Sequence, residues 1–169
     1  FYVDQSLIND FFAEYEDAQE DINSDIDAIV NSADKSLVSH FLDNIYRRIH
    51  SIKSNFRMIG EQQQSTTVHY LENIYNRVKS NADMDIVPVL YLVKVIIEEL
   101  RFHSVNKLQL QARTESLHPL QAELEVLSGL SESDFQKNLI TFLTKLELQG
   151  DYDANFSLAF LSEVFKEQK

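Results

Sequence analysis

His50 is the residue of this sequence best suited to chemistry, because a neutral imidazole is a good nucleophile near pH 7. The apolar residues around it recur every three or four positions, which predicts a helix. They are Phe41, Ile45, Ile49, Ile52, Phe56 and Ile59. At about 100° per residue, His50 lies almost opposite the centre of this stripe. Within about 60° of it on the same wheel lie Arg47, Lys53, Ser54 and Arg57. The pattern therefore predicts a solvent-exposed imidazole within a basic and polar row.

A second pair of polar residues falls on the next predicted helix, at about residues 65–80. His69 and Glu72 are three positions apart, so they are neighbours on the helix surface. Glu72 falls at the edge of the apolar stripe, from which a side chain can reach a neighbouring helix, whereas His69 lies further toward solvent. From spacing alone, the simpler interpretation of Glu72 is a boundary carboxylate in water.

The segment of residues 50–55 (HSIKSN), closed by Gly60, resembles the phosphorylation motif of histidine-containing phosphotransfer (HPt) domains. It is most similar to the N-terminal phosphotransfer domain of chemotaxis-type histidine kinases. Residues 69–73 (HYLEN) resemble the family's second histidine and the glutamate that supports the phosphoacceptor. The Phe11-Phe12 start and the acidic first helix are also similar. The resemblance covers about residues 1–106.

The resemblance implies that His50 accepts a phosphoryl group and exchanges it with an aspartate of a response-regulator receiver domain. Glu72 would accept a hydrogen bond from Nδ1 of His50 and leave Nε2 free to attack. Lys53 would supply positive charge near the transferred oxygens. Further partner or phosphoryl contacts would come from Arg47, Ser54, Arg57 and His69. The implied partners are a receiver domain, a histidine kinase or both. Mg²⁺ is expected on the partner only, so the chain itself is expected to carry no cofactor and no metal.

One departure from the family pattern bears on partner choice. The family often has small residues, commonly glycines, after the lysine, whereas this chain has Ser54, Asn55, Phe56 and Arg57. Phe56 lies on the apolar stripe, but Ser54 and Arg57 lie on the exposed row. A second hypothesis is therefore a non-catalytic helical interaction or dimerisation module that keeps the HPt fold.

The composition favours long helices and excludes several classes of function. Of 169 residues, 44% are hydrophobic and only three are Gly and two Pro. The absence of cysteine excludes disulfides and thiol chemistry. The net charge of −12 disfavours a nucleic-acid partner. No HExxH or glycine-rich ATP-binding segment occurs, so the chain is not expected to be a kinase by itself, and whether it counts as an enzyme stays open. His40, His103 and His118 have no obvious partners and are expected to be solvated or capping.

The sequence also bears on location. No apolar run reaches the roughly 18 residues of a membrane span, and no signal peptide is visible, so we expect a cytoplasmic protein. The first residue is Phe1 rather than Met, from which we expect a region excised from a longer chain.

Charge is unevenly distributed along the chain, because residues 1–46 are strongly acidic and residues 47–79 are more basic. A basic surface around His50 would attract an acidic, phosphorylated partner site.

The expected fold is all-α, with an antiparallel four-helix bundle of the HPt type in residues 1–106. Its helices are predicted at about residues 5–31, 35–59, 65–80 and 87–102, with Ser32 or Asp34 capping the second. Residues 107–169 are predicted to form a C-terminal helical extension. Its first helix opens at Pro119 and ends near Gly129, a second is capped by Ser131 or Ser133, and the last spans residues 156–165. The extension either enlarges the bundle or pairs with another chain to form an oligomer.

Overall fold

The structure, a computed structural model, describes residues 4–32, 36–81 and 83–148. All regular secondary structure in these residues is helical, and no strand occurs among them. The helices are α1 (Gln5–Asn31), α2 (Val38–Met58), α3 (Gln62–Lys79), α4 (Val87–Ser104), α5 (His118–Gly129) and α6 (Glu132–Leu148). A π-helical turn, Val105–Gln109, continues α4. The predicted all-α class is thus confirmed for this part of the chain.

The helix ends follow from residue chemistry that the sequence makes visible. The Asp4 side chain caps α1 by accepting a hydrogen bond from the Ser6 amide at 3.1 Å. Gly60 ends α2 with φ of 82°, in the left-handed region that glycine adopts without steric cost. At the start of α4, the Asp85 carboxylate accepts from the Val87 amide at 2.9 Å, and proline occupies the first turn.

Several predicted boundaries need correction. The helix α2 begins at Val38 rather than near residue 35, and its N-cap residue, Leu37, forms no capping hydrogen bond through its side chain. The cap suggested at Asp34 lies outside the described residues. The helix α3 begins at Gln62, three residues before the prediction, and α4 runs on into the π-helical turn. The last predicted helix, residues 156–165, lies outside the described residues.

The first four helices share one apolar core. The helix α1 packs against α2 and α4, and α3 packs against α2 and α4. The side chains of this core with no measurable exposure include Ile22, Ile45, Ile49, Phe56, Val68, Leu71, Ile74, Tyr75, Leu90, Leu92 and Ile96. The helix α4 is apolar around most of its circumference, and its buried residues make it a central element of the core. This packing fixes α2 beside α3, where the candidate site lies.

The described part of the C-terminal extension packs onto the first four helices. The helix α5 packs against α3, with Leu124 and Leu127 buried, and α6 contacts α4 and α5. Arg77 of α3 donates to the Ser128 carbonyl at 3.2 Å, and its guanidinium lies 5.2 Å from the centroid of the Phe135 ring. The division at residue 106 stays a prediction. None of the described helices combines the length and hydrophobicity needed to cross a bilayer.

Candidate functional site

His50 and Glu72 meet across the contact between α2 and α3. The Nδ1 atom of His50 lies 3.1 Å from Oε2 of Glu72, and the His50 side chain is 55% exposed whereas that of Glu72 is 10% exposed. Because Glu72 is a carboxylate, it acts as the acceptor and holds the proton on Nδ1. The Nε2 atom has no hydrogen-bond partner within the described part of the chain. The geometry therefore leaves the Nε2 lone pair available for a reaction with an external group.

Lys53 also binds Glu72, and its position corrects the sequence interpretation. Its Nζ atom lies 2.9 Å from Oε1 of Glu72, and the residue is buried rather than part of the exposed row. On the helical wheel Lys53 and Tyr46 fall on the same side of His50, and this is the side that α3 covers. The two oxygens of Glu72 are therefore both engaged, one by the imidazole and one by the ammonium group.

The remaining predicted site residues lie at the surface around this cluster. Arg47 and Arg57 are exposed, Ser54 is half-buried, and the Arg47 guanidinium contacts the Asn44 side chain. His69 is exposed, and its Nε2 lies 3.4 Å from the Asn73 amide nitrogen one turn further along α3. None of these four forms a hydrogen bond or ion pair with His50 in the described residues. The structure thus brings together His50, Lys53 and Glu72 and leaves the others as peripheral surface groups.

Tyr46 is a neighbour of His50 that the sequence analysis did not name. Its ring lies nearly parallel to the imidazole, with centroids 6.5 Å apart and an interplanar angle of 22°. Tyr46 also stacks on Tyr75 of α3, at 6.5 Å and 19°, and the Lys79 ammonium lies 5.5 Å from its ring centroid. The spacing of four residues between Tyr46 and His50 is the signal that could have identified it.

His103 departs from the sequence expectation of a histidine without partners. Its Nε2 lies 3.1 Å from the Glu115 carbonyl oxygen, and its Nδ1 lies 3.3 Å from the Gln64 amide nitrogen. Burial lowers the pKa of His103 below its usual value, and the hydrogen bond to the Glu115 carbonyl opposes that change. The histidine therefore connects α4, the start of α3 and the segment before α5.

The chemistry open to the site is that of an oriented imidazole beside a buried ion pair. Across the residues that the structure describes, no three His, Asp or Glu side chains come together as a metal site would require. Comparisons of the chain with protein-family models, curated proteins and solved structures gave no match. The interpretation of the site therefore depends on its residue types and its geometry.

Proposed function

We propose that the chain is a histidine phosphotransfer domain in which His50 accepts a phosphoryl group and exchanges it with a response-regulator aspartate. The observation that carries this proposal is the 3.1 Å contact of Nδ1 of an exposed His50 with a nearly buried Glu72. An imidazole with its proton held on one nitrogen and the other nitrogen open to solvent is prepared for nucleophilic attack. The finer fold, an HPt-type antiparallel bundle of α1 to α4 with added C-terminal helices, is part of the proposal.

The reaction balances without a cofactor in this chain. The Nε2 lone pair of His50 attacks the phosphorus of an aspartyl phosphate, an N–P bond forms, and the bond from phosphorus to the carboxylate oxygen breaks. The aspartate leaves as a carboxylate, and the proton on Nδ1 stays in its hydrogen bond to Glu72. The ring gains positive charge in this step, which the Glu72 carboxylate stabilises. The reverse sequence returns the phosphoryl group. The Mg²⁺ that neutralises the phosphate charge belongs to the partner.

In this proposal, Arg47 and Arg57 supply the positive charge around the transferred oxygens. Lys53 donates to Glu72 and is buried, so its first role is to hold that carboxylate. Arg47 and Arg57 are exposed on the same face of α2 as His50. Guanidinium groups suit phosphoryl oxygens because their donors form a planar fork. Ser54 and His69 are placed for contacts with the partner protein.

The proposed reaction takes place in the cytoplasm and between proteins. A cytoplasmic location fits a partner that is a receiver domain, a histidine kinase or both. The chain would be an intermediate that carries the phosphoryl group between proteins. The upstream nucleotide chemistry would belong to another protein.

An interaction module that keeps the fold is the second candidate, and one feature favours it. The helices α5 and α6 form a groove of about 340 Å³ lined largely by apolar side chains, among them Leu127, Leu130 and Phe142. Val126, on its rim, is 62% exposed. Grooves of this kind accept apolar residues of a partner helix. Under this hypothesis the chain binds a protein partner without transferring phosphate.

The deciding experiment is transfer from receiver domains that have been phosphorylated with radiolabelled acetyl phosphate. The wild-type chain should acquire a label that is stable in base and lost in acid, as phosphohistidine is. His50→Gln should acquire none, whereas His118→Gln, a matched change of an exposed histidine of α5, should be labelled normally. Label on His50→Gln would contradict the assignment. Stable binding of a partner by an unlabelled wild-type chain would favour the interaction module.

A further inference from the structure

We infer that Tyr46 is a positioning residue that fixes the plane of the His50 imidazole for phosphoryl transfer, an inference that rests on the proposed function. His50 must present Nε2 to an incoming phosphorus along a narrow range of directions, because the reacting atoms must be aligned. The direction of the Nε2 lone pair depends on the orientation of the whole ring. Two contacts of different kinds determine that orientation, and Tyr46 provides the second of them.

The hydrogen bond to Glu72 determines only part of the ring orientation. It fixes one distance, 3.1 Å between Nδ1 and Oε2, but the two side-chain torsions of His50 can still change together at that distance. Because the His50 side chain is 55% exposed, packing alone does not hold the ring in one orientation. The terminal torsion of histidine is broad, so the side chain itself does not select one plane. A further contact is needed to restrict this rotation.

The Tyr46 ring supplies that contact. It lies one helical turn before His50 on α2, and the two ring planes differ by 22° with centroids 6.5 Å apart. A nearly parallel neighbour obstructs rotation of the imidazole out of this plane. Because the Nε2 lone pair lies in the ring plane, a restricted plane also restricts the direction from which a phosphoryl group can approach Nε2. The hydrogen bond and the stacked ring together define the direction of the lone pair.

Tyr46 can act in this way because it is itself held in place. It stacks on Tyr75, which is fully buried and donates a hydrogen bond from its hydroxyl to the Leu42 carbonyl at 2.7 Å. The Lys79 ammonium lies 5.5 Å from the Tyr46 ring centroid and pairs with Asp43 at 2.5 Å. A line of rings therefore runs from the core to the exposed imidazole.

Both contacts of His50 depend on the same surface of α3. Glu72, which binds Nδ1, and Tyr75, which supports Tyr46, are three residues apart on that helix and face α2 together. A displacement of α3 relative to α2 would therefore disturb the hydrogen bond and the stack at once. Loss of the Tyr46 ring alone would remove the stack and leave the hydrogen bond in place. This difference separates the role of Tyr46 from that of Glu72.

The test compares Tyr46→Leu with Tyr46→Phe. Leucine keeps much of the buried volume without a flat ring, and phenylalanine keeps the ring. The Tyr46 hydroxyl makes no hydrogen bond in the described part of the chain, so phenylalanine should act like tyrosine. Phe41→Leu is the matched control, because Phe41 is a half-buried aromatic residue of α2 whose ring contacts a different histidine, His40, at 5.8 Å. Circular dichroism and urea denaturation establish that each variant is folded.

Two measurements on the same proteins report the effect. In single-turnover transfer from a phosphorylated receiver domain, Tyr46→Leu should lower the maximal rate about tenfold, the scale of losing a supporting contact, with the half-saturating concentration unchanged. By NMR, the order parameter of the His50 ring should fall while its proton stays on Nδ1. Tyr46→Phe and Phe41→Leu should match the wild type in both.

The NMR measurement keeps this inference separate from the proposed function. If no wild-type label appears but Tyr46→Leu still loosens the His50 ring, the phosphotransfer proposal fails and the positioning contact stands. If the label appears normally and Tyr46→Leu changes neither the rate nor the order parameter, the inference about Tyr46 is wrong. An equal loss in Phe41→Leu would also overturn it, because the effect would then be a general loss of packing in α2.

Discussion

Lys53 and Glu72 form an ion pair between α2 and α3, with 2.9 Å between Nζ and Oε1 and side chains that are 11% and 10% exposed. A pair so removed from water depends on both partners, because either charge alone would remain poorly solvated. The pair also directs the second Glu72 oxygen toward His50. The stability of the helix contact and the orientation of the imidazole therefore depend on the same carboxylate.

Lys53→Met tests the structural part of this relationship. Methionine keeps much of the length of the side chain but leaves one oxygen of the Glu72 carboxylate without its ammonium partner, so we expect a loss of about 1–3 kcal/mol in the free energy of unfolding. The matched control is Lys145→Met, which removes an ion pair with Glu123 whose side chains are 59% and 40% exposed. That change should cost less than about 1 kcal/mol. Urea denaturation measures both, and equal costs would contradict the assigned burial.

Glu72→Gln tests the tautomer argument. The amide has the shape of the carboxylate but lacks its charge, so it holds the Nδ1 proton of His50 less firmly. We expect transfer to slow by roughly ten- to a hundredfold. In the ¹⁵N spectrum of the His50 ring, part of the population should shift to the form with its proton on Nε2. The control is Asn73→Ala, an exposed change beside Glu72 that should alter neither measurement. An unchanged tautomer in Glu72→Gln would require another explanation for the 3.1 Å contact.

Helical periodicity predicts much of the fold because it depends on local spacing. The boundaries of α1 are confirmed. The early start of α3 was missed because residues 62–64 are three glutamines without an apolar period. Gln64 is nevertheless buried, and the Gln63 side chain accepts a hydrogen bond from the Leu117 amide at 3.2 Å. The segment that precedes α5 makes this contact from 54 positions further along the chain, beyond the reach of a local pattern.

Some features of the candidate site could also be predicted from the sequence, whereas others could not. The wheel places His50 opposite the apolar stripe, and His50 is exposed as expected. The burial of Lys53 could not be read from the same wheel, because angular position does not show how far a neighbouring helix extends over a side chain. Tyr46 was missed for the same reason, since its significance depends on Tyr75 of α3. Which residues meet across two helices is determined by packing that involves both.

Replacement of Gly60 and of Gly129 by alanine should change the free energy of unfolding in opposite directions. Gly60 has φ of 82°, where a Cβ atom is disfavoured, so Gly60→Ala should lower the free energy of unfolding by about 1–2 kcal/mol. Gly129 is the last residue of α5, and an added Cβ would meet no atom within 4 Å. Gly129→Ala should raise stability by about 0.5–1 kcal/mol. Thermal denaturation measures both, and a stabilising Gly60→Ala would contradict the assigned backbone conformation.

His103 should make the fold less stable in mildly acidic solution. Its Nε2–H donates to the Glu115 carbonyl, and its Nδ1 accepts from the Gln64 amide, an arrangement that requires the neutral ring. Burial holds the pKa of His103 below its usual value, and Lys107 acts in the same direction, while Glu61 and the Glu115 carbonyl act against them. Below about pH 6.5 the unfolded chain therefore binds a proton that the folded chain resists. This contribution to stability is complete above that pH and is lost as the pH falls toward the lower, folded pKa.

The measurement is the free energy of unfolding in urea from pH 7.5 down to pH 5, compared between the wild type and His103→Gln. Carboxylates titrate in both proteins, so the difference between the two curves isolates the histidine. The wild type should lose stability more steeply than His103→Gln as the pH falls below about 6.5. His118→Gln, a change of an exposed histidine in the first turn of α5, should follow the wild-type curve. Parallel curves for wild type and His103→Gln would show that the ring binds its proton equally well in both states, which the two hydrogen bonds to the neutral ring do not allow.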